Sequence, residues 1–407
     1  MTKQGKKPTL SEVATAAGVG TTTVSRVING GKRVDPKTLA RVQRAIKTLG
    51  YMPNQAARIL KGHPTRTIGL IIPSIADPFF ARCAEAAQSV ARANDSLLIV
   101  TTSQNDLQTE LESINALVSH RADGLIISPS NSESTELSNA LAATGVPVVA
   151  MDRPLSGSAI PSVVADNFVS ASGATRHLIE HGYKRIVCMT GELGLYTIRE
   201  RVNGYRRAIE SAGLPCLLDT LITDYKSAEQ AVKNRLAESE PPDAILTLKN
   251  STTIFVFEVL QKLRLAIPDQ MALLGYDDFE LAEVMRPSIS VVQQPVAEIG
   301  RNAAELLFEE LTPQARNGAA PACPKQIQLG TRLVRRQSCG CRGKQAESRS
   351  DSQPSTGKYG NAVGPPRQDE RNRLFRLVSG NGTLRDRLRG FIGSHGLPTQ
   401  KLRRVLD

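Results

Sequence analysis

No stretch of this 407-residue sequence is apolar for long enough to cross a bilayer. The N-terminus carries lysines where a secretion signal would carry an apolar run. Both absences speak against a membrane or exported protein and point to the cytoplasm. Cysteine is sparse: six residues, at 83, 188, 216, 323, 339 and 341, without the spacing of a disulfide scaffold. A reduced compartment fits that usage. Cys339-Gly340-Cys341 is half of a metal or redox site, but no histidine stands near it in the sequence, so inert thiols are expected. There is no P-loop, zinc-ligand spacing or nucleophile elbow. Gly18–Thr23, GVGTTT, imitates the start of a dinucleotide fingerprint, yet it follows a helix and lacks the third glycine. No enzyme chemistry and no cofactor are therefore expected. Acidic residues are nearly missing from residues 1–62. Twelve Lys/Arg stand there against Glu12 and Asp35, a net +10. Such concentration on a short segment is an electrostatic footprint for phosphate.

What is present in that segment is helical. Thr9 and Glu12 form a T-x-x-E capping box. Leu10, Val13, Ala14 and Ala17 give the first helix an apolar stripe, and Gly18 can end it in the left-handed conformation. After Gly20, Val24, Val27 and Ile28 recur at helical spacing and face inward, so Thr21, Thr22, Ser25 and Arg26 face outward. Asp35-Pro36 opens a third helix, with Leu39, Val42, Ile46 and Leu49 as its buried side and Gly50 as its stop. Two short helices about a glycine turn, with a third closing the core, predict a helix-turn-helix headpiece. Ordinary helices of a soluble bundle are the bland alternative, and the charge weighs against it.

The pattern changes after Gly62–Arg66. Apolar runs at 68–72, 97–101, 124–128, 146–151, 185–189, 244–248 and 271–275 read as buried strands. Helical stretches near 79–93, 107–120, 133–143, 167–181, 198–212, 227–239 and 251–264 lie between them. That alternation predicts parallel βαβ units. Residues 63–341 sum to −6 and residues 342–407 to +8, so an acidic core lies between basic ends. The last segment is rich in Gly, Ser, Pro and Arg up to about Glu370, a disordered composition. Its later leucines are interrupted by Gly380 and Gly382 and lack the heptads of a coiled coil, which leaves a dimer as the default assembly.

Residues 9–62, TLSEVATAAGVGTTTVSRVING followed by VDPKTLARVQRAIKTLGYMPNQAARILKG, resemble the headpiece of the lactose-repressor (LacI/GalR) family of bacterial transcription regulators. The likeness continues to about Cys341. It implies an all-α helix-turn-helix headpiece (1–53), a hinge helix and linker (54–66), and an α/β periplasmic-binding-protein-like effector core of two parallel-sheet subdomains (67–341). Only the basic tail (342–407) has no counterpart. The resemblance implies double-stranded operator DNA as partner, with the helix Thr21–Ile28 in the major groove. Thr21, Thr22 and Arg26 match base-reading positions; Ser25 and Asn29 match phosphate contacts. Arginine can bond guanine bidentately. The hinge helix Asn54–Leu60 would pair with its twin in the minor groove, Ala57 allowing close approach and Leu60 serving as an apolar wedge. Packing of Leu60 against the next domain is the alternative.

The resemblance also implies a small-molecule effector in a cleft between the subdomains. Ser74, Phe79 and Phe80 (in SIADPFF), Asp152, Arg201 (in ERVNGY), Asn250 and Asp277 (in GYDDF) match the family's wall. Charged and amide groups suit a polyhydroxylated ligand. Ser251 replaces the aspartate usual after the asparagine. With Gln293–Pro295, this resembles sugar-acid regulators and hints at a gluconate-like ligand. The alternatives are local capping by the two aspartates and plain core packing for the phenylalanines. A transport binding protein would share the core fold but has no use for a headpiece.

Overall fold

The computed structural model describes residues 8–28, 30, 34–52, 64–191, 193–312 and 325–341. Asn29, Ala57, Leu60, the rest of the expected hinge helix and the tail from 342 lie outside the described residues.

The headpiece helices form where local signals put them. Helix α1 (Leu10–Ala17) starts on the reciprocal Thr9–Glu12 cap and ends at Gly18, whose φ is 61°. Helix α2 spans Thr21–Ile28. Helix α3 (Pro36–Leu49) starts on Asp35, whose carboxylate accepts from the amides of Lys37 and Thr38, both at 3.0 Å. Val13, Ala14, Ala17, Val24, Val42 and Ala45 are the buried centre of the three helices. Leu39 is only half-buried, so the α3 stripe is centred on Val42 and Ala45.

The remainder contains two six-stranded sheets. The first has the order β11-β5-β4-β3-β1-β2 and is parallel throughout. Its strands are β1 (Thr67–Ile72), β2 (Leu97–Thr102), β3 (Gly124–Ile127), β4 (Val148–Met151), β5 (Ser162–Ala165) and β11 (Gln326–Leu329). The second has the order β12-β10-β9-β8-β6-β7. It comprises β6 (Ile186–Met189), β7 (Leu217–Asp219), β8 (Ala244–Thr247), β9 (Ala272–Tyr276), β10 (Ser290–Gln293) and β12 (Arg332–Val334). Among the described residues only the β10–β12 pair is antiparallel. The central strands are buried along their length, as parallel strands covered on both faces must be.

Helices α4 (Pro78–Ala93), α5 (Leu107–Ser119), α6 (Thr135–Ala143) and α11 (Val296–Glu310) pack with the first sheet. Helices α7 (Asn167–Glu180), α8 (Tyr196–Ser211), α9 (Tyr225–Leu236) and α10 (Asn250–Lys262) pack with the second. The chain thus crosses between the subdomains three times: after β5, after β10 and after β11. None of the helices among the described residues is long and apolar enough to cross a membrane.

The expected elements are present with small shifts. Strand β4 begins at Val148 rather than 146, because Pro147 has no amide to give the ladder. Strands β5, β7, β10, β11 and β12 and helix α11 lie outside the elements expected from the sequence, although α11 carries a helical stripe in Ile299, Ala303, Leu306 and Leu307. The start of α11 after Pro295 has no side-chain cap.

Candidate functional site

Parallel strands leave their binding crevice at their carboxyl ends. Here six strands converge on one cavity of about 220 Å³ between the subdomains. Pro73, Ser74 and Asp77 follow β1; Gln104 and Asn105 follow β2; Asp152 and Arg153 follow β4. From the other side come Lys249 after β8, Asp277 after β9 and Gln294 after β10, with Leu195, Thr197, Ile198 and Arg201 from α8 and its approach. Phe79 and Phe80, in the first turn of α4, complete the wall edge-to-face, with centroids 4.9 Å apart.

The wall is held rigidly. Gln104, Asn105, Asp152 and Asp277 all have φ between 54° and 70°. Non-glycine residues take that left-handed conformation at a cost, and such strain gathers at ligand sites. The amides of Asp152 and Asp277 bond to Val163 and Val292 carbonyls of neighbouring strands, at 2.9 and 2.8 Å. Arg201 is buried: its Nε donates to Asn167 Oδ1 and its Nη1 to the Leu248 carbonyl, both at 2.8 Å. Its guanidinium lies 3.8 Å from the centroid of the Tyr276 ring, and Tyr276 is held in turn by Ser170 at 2.6 Å. Neither of the two bonds uses Nη2, so this side chain is oriented with donors to spare.

The opposite arginine is more fully engaged. Arg153 Nη1 donates to Asn105 Oδ1 at 2.7 Å and to the Pro129 carbonyl at 3.1 Å, and its Nε lies 3.3 Å from the Asp152 carboxylate. Burial raises the Asp152 carboxyl above its ordinary range, against the pull of Arg153 and Arg201. Burial also raises Asp277, against Arg201 and the 2.6 Å bond from Gln294 Nε2. Gln294 Oε1 is buried and has no hydrogen-bond partner among the described residues. Three carboxylates, three cations and an unpaired amide oxygen thus line one small space. That set can bond hydroxyls and one anionic group directionally.

Of the wall residues expected from the sequence, Ser74, Phe79, Phe80, Asp152, Arg201 and Asp277 come together here. Asn250 does not: it is the first residue of α10 and lines an adjoining cavity with Phe279 and Arg82, while Lys249 takes the place in the cleft. Asp77, Gln104, Asn105, Arg153, Lys249 and Gln294 were missed. Their common signal is position, within a few residues of a strand's carboxyl end. On the headpiece, Thr21, Thr22 and Arg26 are exposed on α2 and Ser25 is half-buried.

Inert thiols were expected at Cys339 and Cys341 because no histidine stands near them in the sequence; the structure brings two histidines to them. His177 and His181 reach them from the end of α7, with His177 Nε2 3.3 Å from Cys339 Sγ and His181 Nε2 3.3 Å from Cys341 Sγ. The histidines are about 160 residues upstream, which is why proximity in the sequence did not find them.

Two family models match the chain. Residues 9–54 match the description "Bacterial regulatory proteins, lacI family". Residues 65–328 match "Periplasmic binding proteins and sugar binding domain of LacI family". Catabolite control protein A of Priestia megaterium is 32% identical over 326 residues, covering 79% of this chain and 98% of that protein. The ribose operon repressor of Escherichia coli (strain K12) is 31% identical over 309 residues, covering 75% and 93%. Among solved structures, a transcriptional regulator CelR–cellobiose complex is 31% identical, with a TM-score of 0.60 over 81% of this chain and 99% of that one.

Proposed function

The chain belongs to the LacI family of bacterial regulatory proteins, DNA-binding regulators with a sugar-binding effector domain, and from that premise we propose that it is a cytoplasmic repressor whose homodimer grips a short palindromic operator and changes its grip when a sugar or sugar acid fills the cleft. The observation that carries the reading is Arg201, a buried cation in the wall of the cleft, held by Asn167, the Leu248 carbonyl and the Tyr276 ring. Ser74, Asp152, Asp277 and Gln294 take the ligand's hydroxyls. Phe79 and Phe80 supply the apolar face on which a sugar ring rests. A carboxylate on the ligand would pair with Arg201, which favours an aldonic acid over a neutral sugar. The volume is below the roughly 300–1,000 Å³ of drug-sized pockets, in keeping with a single monosaccharide unit. Asn250, outside the cleft, is left out of this set.

On the DNA side, Thr21, Thr22 and Arg26 read bases, while Ser25 and Asn29 hold phosphates. Ala57 and Leu60 act as the hinge contact and wedge that the family pattern assigns. The effector works by binding one of two arrangements of the subdomains more tightly, and it shifts operator affinity by that difference alone. The wall is split between the two sheets, so a ligand that bonds both sides favours the closed arrangement.

One experiment joins the two halves. The operator is selected from random-sequence duplexes, and gel shifts are run with sugars and sugar acids, D-gluconate included, that raise the thermal midpoint of the purified chain. The selected sequences are expected to be palindromic. Arg26→Ala is expected to cost about 1–3 kcal/mol of operator binding and to relax one base position per half-site. Arg201→Ala is expected to keep operator binding and lose the ligand response. If no sequence is enriched, or if Arg201→Ala responds to the ligand at wild-type concentrations, the reading fails.

A further inference from the structure

We propose that His177, His181, Cys339 and Cys341 hold a structural zinc ion, which staples the end of the α/β core to helix α7. Nothing in the DNA-binding or effector reading calls for these residues. Their four donor atoms all lie within 4.8 Å of one another. His177 Nε2 is 3.3 Å from Cys339 Sγ and 3.5 Å from Cys341 Sγ, and His181 Nε2 is 3.3 Å from Cys341 Sγ. A tetrahedral ion about 2.3 Å from sulfur and about 2.0–2.1 Å from nitrogen sets nitrogen–sulfur edges of about 3.5 Å. The three nitrogen–sulfur spacings lie within about 0.2 Å of that edge.

Local structure builds this arrangement from both sides. His177 and His181 are four residues apart at the end of α7, hence on one face, with ring centroids 4.6 Å apart and planes nearly perpendicular. Cys339 and Cys341 flank Gly340, whose φ of 93° belongs to the left-handed half of backbone space. A Cβ at that position would sit 2.8 Å from the Tyr183 hydroxyl, so glycine both makes the turn and admits the neighbour. Cys339 Sγ also accepts a hydrogen bond from Ser290 Oγ at 3.0 Å, the support from outside the ligand set that a bound thiolate needs. Ser338, beside it, is pinned to Leu273 and Ser290. His177 and Cys339 are buried, Cys341 is half-buried and His181 is exposed, which gives the ion a path in from one side.

The donor set selects the metal class. Two thiolates and two imidazoles in a tetrahedron suit zinc, whereas magnesium and calcium take oxygen. Four protein ligands close the coordination sphere, so the ion is structural and has no position for substrate water. On binding, the two thiols lose their protons to solvent and both imidazoles bind as neutral rings. The consequence for the fold is specific. Among the described residues the last strand is β12, a three-residue edge strand with a ladder to β10 alone. The zinc fixes the segment after it to α7, whose first residue, Asn167, orients Arg201 in the cleft.

The test uses the full chain without a polyhistidine tag, purified under a thiol reductant. Elemental analysis is expected to find one zinc per chain. Cobalt titrated into metal-stripped protein is expected to give the intense visible d–d bands of tetrahedral coordination and near-ultraviolet thiolate-to-cobalt charge transfer. Cys341→Ser with His181→Ala, both on the solvent side, should abolish the bands and the zinc while keeping the circular dichroism. Its thermal midpoint should match that of chelator-treated wild type, which should itself lie below the untreated value. Three results would each overturn the proposal: reduced wild type with free thiols but no stoichiometric zinc and a pale octahedral cobalt spectrum; a Cys339–Cys341 disulfide in place of the metal; or bands that survive in the double variant. The wild-type cobalt spectrum decides the matter even if the variant fails to fold.

Discussion

Asp152 and Asp277 occupy equivalent places in the two halves, each directly after a strand and each in the left-handed conformation. Burial raises both carboxyls above the ordinary value of about 4. The direction has two consequences of opposite sign. A carboxyl with a raised folded value binds more protons folded than unfolded, so the ligand-free chain loses the stability of those protons as pH rises through the window between the two values. A ligand hydroxyl, in contrast, is accepted best by the ionised form. Effector affinity should therefore weaken on acidification, and the weakening should begin above the ordinary carboxylate range. Calorimetric titrations across that range should show the slope in wild type and a shallower one in Asp277→Asn. Equal slopes would mean that Asp277 does not ionise where the ligand binds.

Helices α7 and α8 pack against each other, and the pair serves the cleft: α8 supplies Arg201 to its wall, and Asn167 of α7 holds that side chain from behind. Their approach depends on Gly204, in the ERVNGY motif. A Cβ there would run into the Phe168 carbonyl oxygen and come within 2.9 Å of the Ser172 amide nitrogen. Gly204→Ala must push the helices apart, since the atoms it meets are backbone. The overpacking cost is expected to be about 1–3 kcal/mol in chemical denaturation. Ligand affinity should fall as well, because the shift separates Asn167 from Arg201. A variant as stable as wild type would show that the helices close by another route. Within the headpiece, α1 and α3 carry strong caps at both ends, and α2 lies between them with its exposed face given to Thr21, Thr22 and Arg26.

At the scale of the molecule the charge is divided in three, +10 over residues 1–62, −6 over 63–341 and +8 over 342–407. An acidic effector core is repelled by duplex DNA, so attraction is confined to the two ends. The family likeness read from the sequence extends to about Cys341, and the tail has no counterpart in it. Deleting residues 343–407 should thus keep the fold, the dimer, the effector response and the zinc. It should lower non-specific DNA binding and flatten its salt dependence, by up to about 0.9 in log–log slope for each phosphate that the tail no longer neutralises. Ultracentrifugation and binding curves at several salt concentrations check this. A truncated chain that is monomeric or unfolded would mean that the tail is structural.

The sequence by itself determined what is local. Capping boxes, glycine stops and apolar stripes act within four residues, so α1, α2 and α3 were legible almost to the residue. The longer buried strands and their intervening helices were legible too, because a run or a period declares itself over a short window. Motif likeness pointed to six of the residues that line the cleft, whereas Asn250, the first residue of α10, lines the adjoining cavity. Tertiary structure alone decided which distant segments meet. Strand β11 pairs with β5 from more than 150 residues away, by a register that no window contains. Gln104, Arg153 and Gln294 became neighbours only because three strand ends converge. His177 and Cys339 are separated by 162 residues, and their contact depends on where α7 and the end of the chain are packed against the second sheet. Local energies choose the elements; the burial of their apolar faces against one another chooses which side chains share a site.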